Sequence, residues 1–487
     1  MNENESLPKS IIAATKWSSI TEIAVKIVTP FTGMILARIL TPTEFGVVAT
    51  ITMIISFAEM FTDAGFQKYL IQHEFYSEEE KYQSANVAFW TNFFISIFLW
   101  SLIYIFRDQI AIVVGSEGLG NVIAVASLQL PLTAFSSIQT ALYKRSFDFK
   151  TLFIARLVAI CIPFIVTIPL ALIGFSYWSL IIGTLAVQLS NAIILTIKST
   201  WKPKIEYSFK LLQEMFSFSV WTLIESISIW LTGWLDVFLI SSSLTSYYLG
   251  LYKTSTSLVN ALFSIIAASV IPVLFSALSR VQHDQEKFQS LFFSAQQAVS
   301  IFVLPLGVGI YLYRNIAMRI MLGNQWSEAA DIIGLWAIMS ALIIVFSNFN
   351  SEVYRAKGRP KLSFLSQILH LIVLAPACII SLEHGFWTFV YVRSLVRIEA
   401  IIVGLILIHF VIGISAKKII INILPPMIAS IAMGVFGYFL KQLNSSISWD
   451  IFSIILCALF YFLILSLFPK MRKTLVKGFA ALKKIKA

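Results

Sequence analysis

Charge is what this sequence has least of. Only 13% of its 487 residues are Asp, Glu, Lys or Arg, while 58% are hydrophobic and the mean hydropathy is +0.84. A soluble domain carries about 25% charged residues, so this chain cannot cover a water-facing surface of its size. Cysteine is scarce too. Cys161, Cys378 and Cys457 each lie inside an apolar run, at spacings that fit no metal or redox motif, and read as packing residues. No glycine-rich phosphate loop occurs, which argues against ATP hydrolysis by this chain. No cleavable signal peptide is visible: Met1 to Lys9 are polar, and the first apolar run is long enough to span a bilayer. Nothing indicates a cofactor or a metal.

What the chain has is hydrophobic length. A helix needs about 20 apolar residues to cross the hydrocarbon. About fourteen such runs occur, at 11–39, 44–65, 84–106, 119–142, 150–172, 177–197 and 212–240, then 247–276, 288–313, 330–353, 362–381, 386–410, 418–440 and 449–468. They are continuous rather than alternating, which excludes a β-barrel. The expected fold class is therefore an all-α integral membrane protein with about 14 transmembrane helices.

The net charge of +11 reflects orientation rather than nucleic acid binding, because Lys and Arg sit in short loops and in the tail. With the N-terminus cytoplasmic, the positive-inside rule assigns about 25 basic residues to the cytoplasmic side and about five to the other. Both termini are expected to be cytoplasmic, with an even number of spans. The basic tail, Lys470 to Lys486, suits anionic headgroups as well as it fixes topology.

The stretch from Thr15 to Phe66 organises the rest. It reads as an apolar helix interrupted at Pro30, a turn at Leu40-Thr41-Pro42-Thr43-Glu44-Phe45-Gly46, and a returning helix that ends in Phe61-Thr62-Asp63-Ala64-Gly65-Phe66. The pattern recurs. Leu40 to Val47 align with Leu244 to Leu251, Tyr143-Lys144-Arg145 with Tyr354-Arg355-Ala356, and Trp178 with Trp387, at offsets of 204, 211 and 209 residues. An offset of six spans gives two halves of like orientation, as in parallel transporter repeats. The expected organisation is a six-helix lobe over 1–199, a second, pseudo-symmetric six-helix lobe over 200–412, and two added helices with a basic tail over 413–487.

Charges inside spans are expensive, so their default reading is functional. In the first span Glu22 precedes Lys26 by four residues, the favourable order for an intrahelical pair, which leaves Lys16 unmatched on its own helix. Arg393 and Arg397 share one face of the twelfth span, with Glu399 beyond them. Arg397 lies near the middle of that span and needs a cavity, a carboxylate or an anionic substrate. Glu225, halfway along the seventh span, is a candidate partner, and a purely internal ion pair is the alternative. Asp236 and Lys253 flank the turn at 241–246 and are expected to pair. His370 reads as a packing residue. Asn348, Asn350, Ser351 and Glu352 form a polar run unsuited to lipid.

These residues carry a resemblance. Leu36 to Gly46, with Phe61-Thr62-Asp63-Ala64-Gly65, is similar to the opening signature of Wzx-type polysaccharide repeat-unit flippases of the multidrug/oligosaccharidyl-lipid/polysaccharide (MOP) exporter superfamily. Leu235-Asp236, Phe275 to Arg280, Leu322 to Trp326 and Lys357 to Pro360 extend the likeness over nearly the whole chain. At Ser241-Ser242-Ser243 the chain departs from a basic residue common in that pattern. The resemblance implies a MATE-like fold and a non-enzymatic flippase of the bacterial inner membrane, serving O-antigen, capsule or exopolysaccharide biosynthesis. The cargo it implies is an undecaprenyl-pyrophosphate-linked oligosaccharide. Membrane lipids, a polysaccharide polymerase and a chain-length regulator are the implied partners, and nucleic acid is not among them. On this reading Lys16, Lys26, Arg393 and Arg397 line a cationic cavity, while Glu22, Glu225, Asp236 and Lys253 serve as ion-pair or coupling positions. A cation-coupled drug or toxin antiporter is the rival, since Glu22, Glu225 and Asp236 offer carboxylates for cationic cargo. A polymerase or ligase is the enzyme-class rival, disfavoured because the outer loops are short.

Overall fold

The computed structural model describes residues 3–472 apart from Ala64, Pro360 and Ser445, and among them every regular element is helical. The chain forms two compact units, Met1–Thr254 and Ser255–Ala487. The first holds α1 (Glu3–Ile39), α2 (Pro42–Asp63), α3 (Phe66–Gln72), α4 (Glu78–Ile105), α5 (Arg107–Val113) and α6 (Gly120–Ala126). It continues with α7 (Gln129–Arg145), α8 (Phe149–Ile162), α9 (Ile168–Leu172), α10 (Tyr177–Lys198), α11 (Phe209–Ser243) and the start of α12 (Ser246–Arg280). After α12 come α13 (Gln285–Leu312), α14 (Arg314–Met321), α15 (Ala329–Phe346) and α16 (Asn350–Ala356). The last elements are α17 (Lys361–Glu383), α18 (Phe386–Leu407), α19 (Ala416–Leu443) and α20 (Ile447–Ser466).

Twelve helical segments among the described residues are long and apolar enough to cross a membrane. The expected count of about fourteen is not confirmed by these twelve. The expected runs at 212–240 and 247–276 fall on α11 and α12, each 35 residues long, which include side chains outside the described set.

The sequence places the first helix boundaries by local chemistry. Thr41 and Glu44 form a capping box before α2. The Glu44 carboxylate accepts from the Thr41 N–H at 2.6 Å and from its hydroxyl at 2.9 Å, and Pro42 fills the first helical position. Ser77 and Glu80 do the same for α4, where Ser77 Oγ accepts from the Glu80 N–H at 3.1 Å. The break expected at Pro30 does not occur: α1 runs through it. Proline costs a membrane helix one backbone hydrogen bond, here to the Lys26 carbonyl, and such a loss is tolerated inside a bundle.

The repeat is written in the backbone as well as in the side chains. Phe147 (φ 57°) and Gly358 (φ 68°) end matching helices with the same pattern, in which Asp148 N–H bonds Tyr143 O at 2.9 Å and Arg359 N–H bonds Tyr354 O at 2.8 Å. Ser176 (φ 49°) and Gly385 (φ 97°) precede Tyr177-Trp178 and Phe386-Trp387. The connectors that follow Tyr104 and Tyr311 hold a further match. Arg107 lies over Tyr104 and bonds its carbonyl at 3.1 Å, and Arg314 lies over Tyr311 and bonds its carbonyl at 3.3 Å.

Within the first unit, α2 and α12 meet at the two glycines of the aligned motif. A Cβ on Gly46 would stand 1.8 Å from Ser246 O, and one on Gly250 would stand 1.7 Å from Pro42 O. The contact is reciprocal at the 204-residue offset, so a local two-fold relation passes through this crossing. Only a residue without Cβ permits such an approach.

The connectors around α3 and between α10 and α11 are anchored rather than loose. Phe66, Tyr69 and Leu70 of α3 are buried among Ala85, Phe89, Ile138 and Trp201. Arg145 caps α3, donating to the carbonyls of Leu70, Ile71 and His73 at 3.0, 3.3 and 2.6 Å. Buried Asn86 holds the segment between α10 and α11. Its Oδ1 accepts from Trp201 Nε1 at 3.0 Å and from the Lys204 N–H at 3.2 Å, and its Nδ2 donates to Glu206 at 3.2 Å. Cys378 and Cys457 are buried as expected, whereas Cys161 lies on the exposed face of α8. An apolar thiol on that face suits hydrocarbon as well as a core does.

Candidate functional site

In the second unit α15 and α18 pack side by side. Trp336 and Ser340 are four apart on α15, and Arg393 and Arg397 are four apart on α18, so each pair shares a helix face. The Arg397 guanidinium carbon lies 3.5 Å from the centroid of the Trp336 ring, and that of Arg393 lies 5.4 Å away. Arg397 Nη1 donates to Ser340 Oγ at 2.7 Å. The indole is itself fixed, since its Nε1 donates to Asn260 Oδ1 at 3.0 Å. Trp336 is 3% exposed and Arg393 6%.

This geometry keeps two cations within a span. A desolvated guanidinium over an indole gains about 2 kcal/mol or more. A guanidinium's N–H groups are donors that match phosphate or carboxylate oxygens bidentately. Like charges four apart on a helix repel.

Glu399, on the same helix, turns toward α17, where its Oε2 lies 2.7 Å from His370 Nδ1. His370, expected to be a packing residue, is therefore a hydrogen-bond partner of a carboxylate. The polar run after α15 falls at a helix break. Glu352 pairs with Arg355, while the Asn350 amide, 4% exposed, has no hydrogen-bond partner among the described residues. Gly404 of α18 makes room beside it: a Cβ there would stand 2.5 Å from Asn350 Nδ2.

In the first unit Lys26 and Glu22 form the expected pair at 3.9 Å, with the Lys26 side chain 28% exposed and that of Glu22 63%. Asp236 is buried. It accepts from the Tyr252 hydroxyl at 2.6 Å and from the Val237 N–H at 2.8 Å. Lys253 Nζ lies 4.0 Å from the centroid of the Trp234 ring. Glu59, half-buried in the same unit, accepts from Gln129 Nε2 at 3.2 Å. Lys16 and Glu225 lie on α1 and α11, but their side chains are outside the described residues.

The sequence therefore supplied the arginines but not their setting. Trp336, Ser340 and Asn260 sit in three apolar or neutral contexts, and only the spacing of Trp336 and Ser340, matching that of Arg393 and Arg397, hinted at a shared face.

Fold and site define a polytopic helical membrane protein with stacked cationic groups inside its spans. Residues 35–331, more than half of the chain, match the family described as "Polysaccharide biosynthesis protein", and the chain belongs to that family. Among its relatives is the succinoglycan biosynthesis transport protein ExoT of Rhizobium meliloti (strain 1021), 23% identical over 70% of this chain and 68% of that protein. Another is the lipopolysaccharide biosynthesis protein WzxC of Escherichia coli (strain K12), 22% identical over 88% of this chain and 89% of that protein. The fold is shared with the lipid II flippase MurJ in an inward closed conformation. The TM-score is 0.76 at 17% identity, covering 93% of this chain and 98% of that one.

Proposed function

We propose that this protein is a flippase for surface polysaccharide biosynthesis. It carries an undecaprenyl-pyrophosphate-linked oligosaccharide from the cytoplasmic to the outer leaflet of the bacterial inner membrane. Arg397 over the Trp336 ring, with Arg393 beside it, carries this reading. The head group of such a substrate is large, polar and anionic, and hydrocarbon excludes it. Two guanidinium groups held within a span beside a fixed indole offset pyrophosphate charge along the path. Membership of a polysaccharide biosynthesis family and likeness to named transporters support the same reading.

On this proposal two six-helix lobes, 1–199 and 200–412, alternate access by rocking, with two further helices beside them, fourteen spans in all and both termini cytoplasmic. Lys16 and Lys26 complete the cationic path with the arginine pair. Glu22, Glu225, Asp236 and Lys253 are the ion-pair or coupling positions. A polymerase and a chain-length regulator act on the product outside.

The test is complementation. A strain lacking the gene is expected to lose surface polymer and to accumulate lipid-linked repeat units on the cytoplasmic side. Arg397→Ala, at normal membrane level, should fail to restore polymer, and Arg397→Lys should restore it only in part. Intact polymer in the deletion strain, joined to new sensitivity to cationic drugs, would point to an antiporter instead.

A further inference from the structure

The first unit contains a second feature that the arginine site does not use. A cavity of about 760 Å³ lies between α2, the end of α4 with α5, and α11. Its wall includes Met53, Phe57, Leu99, Phe106, Trp230 and Phe238, and every lining residue among the described residues is hydrophobic. The one polar group they bring, Trp230 Nε1, is bonded to Ser56 Oγ at 2.9 Å. The aromatic wall is fixed by contact: Phe57 lies 4.9 Å from Trp230 and 5.3 Å from Phe61, ring centre to ring centre.

Such a cavity has no use for water, sugar or phosphate. Buried water needs two to four polar partners, and cavities lined by Leu, Ile and Phe stay dry and accept hydrocarbon. The volume is in the range of sites built for small ligands, about 300–1,000 Å³. Its position narrows the occupant further. Two walls, α2 and α4–α5, come from the first copy of the sequence repeat, and the third, α11, opens the second copy. Transporters built from repeats hold cargo where the repeats meet. A lipid-linked head that crosses there leaves its chain at a seam between the copies, because the chain cannot follow a polar path.

We propose that this cavity binds the isoprenoid chain of the lipid-linked substrate while the head group crosses. The proposal rests on the flippase reading for its substrate but names a site distinct from the arginine pair.

The full-length protein in nanodiscs would be irradiated with a diazirine-bearing undecaprenyl phosphate, and in parallel with phosphatidylglycerol carrying the same diazirine on an acyl chain. Labelled peptides should map to α2, α4 and α11 for the polyprenyl probe. Unlabelled undecaprenyl phosphate should suppress that labelling at least tenfold, and phosphatidylglycerol should not. Leu231→Trp and, separately, Leu235→Trp fill the cavity from α11 and should each cut polyprenyl labelling at least fivefold. Either variant with a native thermal midpoint serves. In proteoliposomes the same variants should slow flipping of a long-chain substrate more than that of an analogue with two or three isoprene units. Equal labelling by the acyl probe would overturn the proposal in favour of bulk lipid, as would polyprenyl labelling confined to other helices. Competed labelling at the cavity, in a wild-type protein that flips neither substrate, would uphold the site and remove the flippase reading instead.

Discussion

The crossing of α2 and α12 makes a quantitative prediction. A methyl group on Gly46 would sit 1.8 Å from Ser246 O, where an ordinary carbon–oxygen contact is about 3.3–3.6 Å. The helices must therefore separate by about 1.5 Å, since the obstacle is backbone and cannot rotate away. Overpacking of this kind costs about 1–3 kcal/mol. Gly233, inside α11, is the control, because nothing lies within 4 Å of a Cβ built there. Gly233→Ala should gain up to about 1 kcal/mol from helix propensity alone. Gly46→Ala and Gly250→Ala should each fall below that control by about 1–3 kcal/mol. The two contacts are reciprocal, so helices already parted for one methyl have room for the other. The double variant should then cost less than the sum, with a coupling of at least about 0.5 kcal/mol. Thermal unfolding of the purified protein in one detergent, for all four proteins and the wild type, measures this. Single variants as stable as Gly233→Ala, or costs that add strictly, would refute the close reciprocal crossing.

Further outcomes follow from other contacts. Asn86→Ala leaves Trp201 Nε1 and the Lys204 N–H without their acceptor, at about 1–3 kcal/mol for orphaned buried donors, and should speed proteolytic cleavage between α10 and α11. Tyr252→Phe removes the hydroxyl that donates to buried Asp236, a hydrogen bond to an acidic group worth about 1.5–3 kcal/mol, and should lower the thermal midpoint. Asp284 caps α13, and its carboxyl is held below the usual range, first by the Lys287 side chain and then by the Lys287 N–H. A depressed value means the stabilisation is complete above the ordinary carboxylate range and is lost as pH falls through the lowered value. Amide exchange in the first turn of α13 should quicken only at such acidic pH, and Asp284→Asn, still a good cap, should abolish that dependence.

Much of the fold was legible because membranes impose a one-dimensional rule. Twelve of the predicted runs became helical segments fit to span, and the capping residues Thr41, Glu44, Ser77 and Glu80 set their starts. Pro30 misled, because a helix-breaking rule learned in water is weaker where neighbours shield the freed carbonyl. His370 misled for another reason. Its partner Glu399 is 29 residues away on the next helix, and no spacing rule links them. The short helices α5 and α14, of 7 and 8 residues, were hidden inside loops because they are too short to register as spans.

By itself the sequence determined that the chain lives in a bilayer, where its helices run, and that a plan repeats at about 200 residues. Composition and period are local properties, and hydrocarbon forces each span to satisfy its own backbone. Tertiary structure alone decided which faces meet. It set Arg393 and Arg397 on Trp336 rather than leaving them as two isolated charges, pressed Gly46 against Ser246 and Gly250 against Pro42, and left an apolar cavity beside Phe57 and Trp230. Those outcomes depend on helix rotation and close packing between segments far apart in the chain, and these follow from the summed contacts of the bundle rather than from any single run.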